Sequence, residues 1–68
     1  MQEFRGVQGG YVVFGTSGKH AFREVISYAA KYAIDGDVYI EEKRGKKWVR
    51  VASITQASAI NDAFTVSL

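Results

Sequence analysis

Hydrophobic and polar residues change their spacing several times along this chain of 68 residues. Near the N-terminus, glycines separate β-branched and aromatic residues, and the stretch from Gly10 to Gly15 predicts a strand. The preceding EFRGV segment predicts a second strand that pairs with it across QGG, because glycine supplies the positive φ angles of tight turns. The chain therefore begins with one strand, or with a hairpin if both strands form.

From Ser17 onward the apolar residues recur at helical spacing. They fall on one side of a helix, and charged residues gather on the other. Thr16 or Ser17 is the expected N-cap, and the Asp35-Gly36-Asp37 turn is expected to end the helix. The sequence thus predicts one amphipathic helix whose apolar side packs on a sheet through Phe22, Val25, Ile26, Ala29, Ala30 and Ala33.

Two further segments, DVYIEEK and KKWVRVASI, predict a second hairpin. Its expected register opposes Glu42 to Lys47, because this places the apolar pairs Ile40–Val49 and Val38–Val51 together on one face. On the other face we expect Tyr39 opposite Arg50 and Glu41 opposite Trp48, with Tyr11 and Val13 as neighbours.

The last five residues, FTVSL, alternate between apolar and polar and predict a half-buried strand that follows a turn at Asn61 and Asp62. The element order is then ββαβββ, or βαβββ without the first hairpin. The expected fold class is α+β, with one amphipathic helix packed on one face of a four- or five-stranded, largely antiparallel sheet. No second helix is predicted to cover the opposite face.

Length and composition limit the number of domains and the kinds of site that the chain can form. We expect a single small domain over residues 1–68, and the absence of cysteine excludes disulfides and thiolate metal sites. The apolar runs are far shorter than the roughly 20 residues of a spanning helix, and the N-terminus lacks the basic and apolar regions of a targeting signal. We therefore expect a soluble cytoplasmic protein with no membrane partner.

Candidate catalytic and cofactor motifs are incomplete. The segment FGTSGKH runs from a strand into a helix, but Val13 and His20 replace the glycine and the Ser or Thr that a phosphate-binding loop requires. His20 is the only histidine, so neither a metal site nor a general base with its partner can be assembled around it. Glu41 and Glu42 point to opposite faces of a strand. The prediction is that the chain is not an enzyme and holds no cofactor or metal.

The segment EEKRGKKWVR at residues 41–50 contains five of the nine Lys and Arg residues and the only tryptophan, although the net charge is only +2. Tryptophan, tyrosine and arginine are enriched at protein-binding hot spots, so the favoured interpretation is a protein-binding surface. The alternative is direct nucleic-acid binding, since aromatic side chains beside basic residues stack on bases. A solvated hairpin tip without function is also open. The predicted partner-binding residues are Tyr39, Lys43, Arg44, Lys46, Lys47, Trp48 and Arg50.

A strand, a helix rich in alanine and a hairpin ending in GKKWVRV cover residues 11–51. This layout resembles several small phage-encoded inhibitors of host machinery, among them compact anti-CRISPR proteins and a phage inhibitor of bacterial RNA polymerase. The resemblance implies a non-enzymatic inhibitor in the cytoplasm of a bacterial host. Its implied partner is a host protein or ribonucleoprotein complex, and a homodimer formed through FTVSL or the uncovered sheet face is a further expectation.

Overall fold

The computed structural model describes residues 2–55, which form one helix on a four-stranded antiparallel sheet. The spatial strand order is β2-β1-β3-β4, so the predicted α+β class is confirmed. The predicted FTVSL strand and the turn at Asn61 and Asp62 lie outside the described residues. The elements are β1 (Glu3–Gln8), β2 (Tyr11–Ser17), α1 (Ala21–Tyr32), a 3-10 turn (Ala33–Asp35), β3 (Val38–Arg44) and β4 (Lys47–Ile54).

The first hairpin is present. β1 and β2 pair antiparallel, from Glu3 opposite Ser17 to Gln8 opposite Tyr11. Gly9 and Gly10 make the turn with φ angles of 61° and 84°, a left-handed conformation that side chains with a Cβ rarely adopt. The arrangement over residues 2–55 is therefore ββαββ.

The helix begins later than the sequence predicts. β2 continues through Ser17, the chain turns at Gly18, and His20 is the N-cap, with no side-chain hydrogen bond at that cap. The prediction of Thr16 or Ser17 as N-cap is wrong, because both residues belong to the strand. The Thr16 hydroxyl instead donates to the Ala21 carbonyl at 2.8 Å and so joins β2 to the first turn of α1.

The apolar side of α1 packs on the sheet as predicted, with Phe22 and Ile26 partly buried against the core. A 3-10 turn extends the helix to Asp35, and Gly36 follows, as the predicted turn requires. No helix within residues 2–55 combines the length and the apolar character needed to cross a membrane. The buried core consists of Phe4, Ala21, Val25, Ala29, Ala33, Val38, Ile40, Ala52 and Ile54.

The second hairpin is present, but its predicted register is wrong. Arg44 lies opposite Lys47, which leaves a two-residue turn at Gly45 and Lys46 in which Gly45 has a φ of 64°. Because this turn is tighter than expected, Glu42 lies opposite Val49 rather than Lys47.

A β-bulge on β4 then corrects the pairing further along the strands. The register shifts between Ile40 and Glu41, so Ile40 lies opposite Ala52 and Val38 opposite Ile54, and all four side chains are buried. Val51, the extra residue, packs against the core. The bulge therefore keeps apolar residues under the helix although the turn has moved the register.

Candidate functional site

The side of the sheet away from α1, which we name the open face, is covered by no element among residues 2–55. Successive strand residues alternate between faces, so the partners of the buried residues point to this side. Cross-strand pairing brings Arg5 opposite Glu41 and Glu41 opposite Arg50 in one row across three strands. The open face carries Arg5, Val7, Tyr39, Glu41, Trp48 and Arg50.

Two arginines lie over the two aromatic rings of this face. The Arg5 guanidinium carbon is 4.2 Å from the centroid of Trp48, and that of Arg50 is 3.9 Å from the centroid of Tyr39. Both distances are well within the roughly 6 Å at which a cation is attracted to the face of an aromatic ring. Each aromatic ring is half-buried and shares its surface with a cation.

A carboxylate lies between the two arginines. Arg5 Nε donates to Glu41 Oε1 at 2.6 Å, and both side chains are largely shielded, with 29% and 20% of their surfaces exposed. Glu41 is also the cross-strand partner of Arg50. The result is a continuous row of side chains, Trp48–Arg5–Glu41–Arg50–Tyr39, which we name the Arg–aromatic row.

Four further basic residues lie at the exposed end of the β3–β4 hairpin, which we name the basic tip: Lys43, Arg44, Lys46 and Lys47. Lys43 lies opposite Trp48, so the tip adjoins the Arg–aromatic row directly. Arg44 Nε donates to Glu42 Oε1 at 2.9 Å, yet 59% of the arginine side chain stays exposed. Such an exposed pair contributes little to stability. Because the tip residues are exposed, they present their cations to solvent.

All seven predicted site residues lie on the β3–β4 hairpin, but alternation places Arg44 and Lys47 on the face opposite Trp48, and the cross-strand pairs differ from those expected. Trp48 lies opposite Lys43 rather than Glu41, and Tyr39 lies opposite Ser53 rather than Arg50. The cation over the Trp48 ring is Arg5, which was not predicted. Tyr11 is not part of the open face, because it lies opposite Gln8, whose side chain reaches toward the helix. Val13 lies at a bulge in β2.

Sequence reasoning missed Arg5, the residue that joins Trp48 to Glu41. The available signal was the alternation of EFRGV, in which buried Phe4 places Arg5 on the opposite side of its strand. That signal points to the open face only when β1 is known to lie beside β3, and local pattern predicted β1 but not its neighbour.

A shallow groove of about 340 Å³ runs beside the Arg–aromatic row. Arg5 and Trp48 form one side, and Val12 and Ser17 of β2 form the other. Gly15, the cross-strand partner of Arg5, contributes no side chain, which leaves the groove open between them. The open face therefore combines this groove with the charged and aromatic side chains of the Arg–aromatic row.

The open face, with its charged and aromatic side chains, suits contact with the surface of another macromolecule. Within residues 2–55, no group of three or more His, Cys, Asp and Glu side chains could hold a metal ion. The prediction that the chain is not an enzyme stays a prediction.

Comparisons with models of protein families, with curated proteins and with solved structures find no match for this chain.

Proposed function

We propose that this chain is a small non-enzymatic binding protein that contacts another protein through the open face and the basic tip. The Arg–aromatic row is the observation that supports this proposal. Tryptophan, tyrosine and arginine are the residue types that dominate binding energy at protein interfaces. Here all three types form one contiguous row on a sheet face that no described element covers.

The side chains of the Arg–aromatic row are already held in place, which also supports a binding role. Arginine and tryptophan lose rotamer freedom when they bind, and each immobilised side chain costs roughly 0.5–1.5 kcal/mol of affinity. On the open face that freedom is already restricted, because Arg5 is held between Glu41 and Trp48 and Arg50 lies over Tyr39. A partner would therefore meet side chains already fixed in place.

Charge indicates the chemistry of the partner. The open face and basic tip contain six cations, while the nearby carboxylates are Glu3, Glu41 and Glu42. Two of these carboxylates already accept a hydrogen bond from an arginine. The complementary surface is an acidic patch with an apolar or aromatic centre that fits against Trp48 and the groove.

The resemblance of residues 11–51 to small phage-encoded inhibitors directs the search for this partner. It suggests a bacterial host protein or ribonucleoprotein complex in the cytoplasm, and an inhibitory outcome in which the bound chain occupies a functional surface. On this proposal the chain acts by occupancy alone and needs no cofactor.

Direct nucleic-acid binding is the second candidate, and the juxtaposition of the basic tip with Trp48 favours it. Phosphates would lie on Lys43, Lys46 and Lys47, and a base would stack on the indole. Arg5 already lies over one side of Trp48, so only the other side of the ring is available to a base. This competition makes base stacking the weaker of the two uses.

Affinity capture with a matched pair of variants tests the proposal. Arg50→Glu reverses a charge on the open face, and Arg23→Glu makes the same change at an exposed position on α1. Capture from bacterial lysate should recover a defined protein with the wild type and Arg23→Glu but not with Arg50→Glu. Equal recovery by all three folded proteins would contradict the proposal.

A fluorescence titration separates the two candidates. Trp48 is the only tryptophan, so its emission reports on the open face when single- or double-stranded DNA or RNA is added. Saturable quenching that weakens steeply between low and moderate salt would support nucleic-acid binding. Unchanged emission would remove the second candidate.

A further inference from the structure

Three exposed tyrosines within residues 2–55 lie on the helix side of the sheet, away from the Arg–aromatic row. Tyr11 is 77% exposed and belongs to β2, which is an outer strand among the described residues. Tyr28 and Tyr32 are exposed on α1. We name strand β2 together with Tyr28 and Tyr32 the β2 margin.

Contacts within the margin show that it is one surface. Phe14 of β2 stacks on Tyr32 with ring centroids 5.1 Å apart and also contacts Tyr28 at 5.8 Å. The Gln8 amide donates to the carbonyl oxygens of Tyr32 and Gly36, which ties the β1–β2 turn to the end of the helix. Strand edge and helix thus present a joined aromatic surface.

β2 carries none of the side chains that usually protect an outer strand. Proteins guard exposed edges with lysine, other charges or proline, but the sequence YVVFGTS contains none of these. Its protecting feature is the bulge at Val13, beyond which Phe14 to Ser17 pair regularly with β1. The other outer strand within the described residues, β4, carries Lys47 and Arg50.

We propose that the β2 margin binds a second copy of this chain, with β2 pairing antiparallel to β2 of the other copy. Charge selects this occupant and this edge. Pairing β2 with itself opposes no charged side chains, whereas pairing β4 with itself would bring cations together. The contact is isologous, as two-fold dimers require, because the same uncharged strand serves both copies.

The geometry of antiparallel pairing brings the aromatic residues into the same contact. The two-fold axis that relates two such strands is perpendicular to the sheet, so both helices lie on one side and both open faces on the other. Tyr28 and Tyr32 of each copy then face the axis. Their area matters, because a stable interface buries roughly 800 Å² per partner and strand pairing alone supplies little apolar area.

The dimer also has a consequence for binding. It would join two four-stranded sheets into one and present two Arg–aromatic rows on the same side. A partner with two matching sites would gain affinity through the higher effective concentration of the second contact. The dimer itself does not depend on the proposed function, since it uses no residue of the Arg–aromatic row or the basic tip.

Analytical ultracentrifugation of the full chain over a range of concentrations tests the proposal. Wild type should sediment as a dimer at high concentration. Tyr11→Lys places a charge on the paired strand and Tyr28→Lys places one on the facing helix, and each should weaken dimerisation about ten-fold or more. Ser27→Lys adds the same charge at an exposed helix position outside the margin and should leave the dimer intact.

Two results would overturn the proposal: a wild type that remains monomeric at about 1 mM, or a dimer that survives either margin substitution. Circular dichroism establishes that each variant is folded before its mass is interpreted. Arg50→Glu, on the open face, should dimerise like the wild type, so a failure of the dimer and a failure of the proposed function are distinguishable.

Discussion

Replacing Gly6 with alanine should destabilise this protein, although the same change usually stabilises a strand by about 0.5–1 kcal/mol. Gly6 lies in β1 opposite Phe14 of β2, and the Phe14 ring lies over the position where a Cβ would be. A Cβ built on Gly6 would be 2.2 Å from Phe14 Cζ and 2.5 Å from Cε1. Glycine at this position is therefore a packing requirement.

The structure sets the size of the expected effect. Ordinary contact begins near 3.4 Å, so the Phe14 ring must move by about 1.2 Å, the difference between 3.4 and 2.2 Å. That movement disturbs its contacts with Tyr32 and Tyr28, and aromatic pairs of this kind contribute about 0.5–1.5 kcal/mol each. Overpacking generally costs about 1–3 kcal/mol, and we expect a net loss of about 1–2 kcal/mol.

Urea unfolding followed by circular dichroism measures this loss, and Gly15→Ala is the matched control. Gly15 is also a strand glycine, but its added Cβ would meet only the Phe4 carbonyl oxygen at an ordinary 3.6 Å. Gly15→Ala should be neutral or stabilising. The reasoning is refuted if Gly6→Ala proves as stable as Gly15→Ala, or if Phe14→Ala costs as much in the Gly6→Ala background as in the wild type.

Three further changes test other parts of the fold. Gln8→Ala should cost about 1–2 kcal/mol in urea unfolding, because the carbonyls of Tyr32 and Gly36 both lose a donor; no loss would mean that water replaces the amide. Gly45→Ala should lower the thermal midpoint by about 4–8 °C, since φ at this turn is 64° and alanine there costs about 1 kcal/mol, and an unchanged midpoint would contradict the turn geometry. Ile40→Ala should cost about 2–5 kcal/mol by chemical denaturation, because Ile40 is fully buried and its loss leaves a cavity, whereas a cost below 1 kcal/mol would contradict that packing.

The sequence predicts the elements of this fold well because their signals are local. Apolar spacing located α1, and the glycine pair at residues 9 and 10 marked the turn of the first hairpin. The N-cap was misplaced because Thr16 and Ser17 suit a helix start chemically, while the turn at Gly18 delays the helix to Ala21.

Register was not predictable in the same way. The predicted register requires unbroken alternation along β3 and β4, and a bulge on β4 breaks that alternation at one residue. Glycine at position 45 allows a tighter turn than the predicted register requires. With the tighter turn and the bulge together, the apolar residues of β3 and β4 still point toward the helix. The predicted faces of these strands were therefore correct, although the predicted cross-strand pairs were wrong.

The candidate site depends on strand order, which local pattern does not contain. Tyr39, Trp48 and Arg50 were predicted from composition and alternation. Arg5 is distant in sequence and reaches Trp48 and Glu41 only because β1 lies between β2 and β3. The charged partner that organises the face was therefore beyond sequence reasoning.

The affinity of the captured partner for the wild type and for two alanine variants tests the central claim most directly. Trp48→Ala removes the aromatic end of the Arg–aromatic row, and Arg23→Ala alters the exposed helix instead. A hot-spot tryptophan contributes about 2 kcal/mol or more, so Trp48→Ala should weaken binding by roughly 30-fold while Arg23→Ala leaves it unchanged. A folded Trp48→Ala variant that binds as tightly as the wild type would contradict the assignment of the open face as the binding surface.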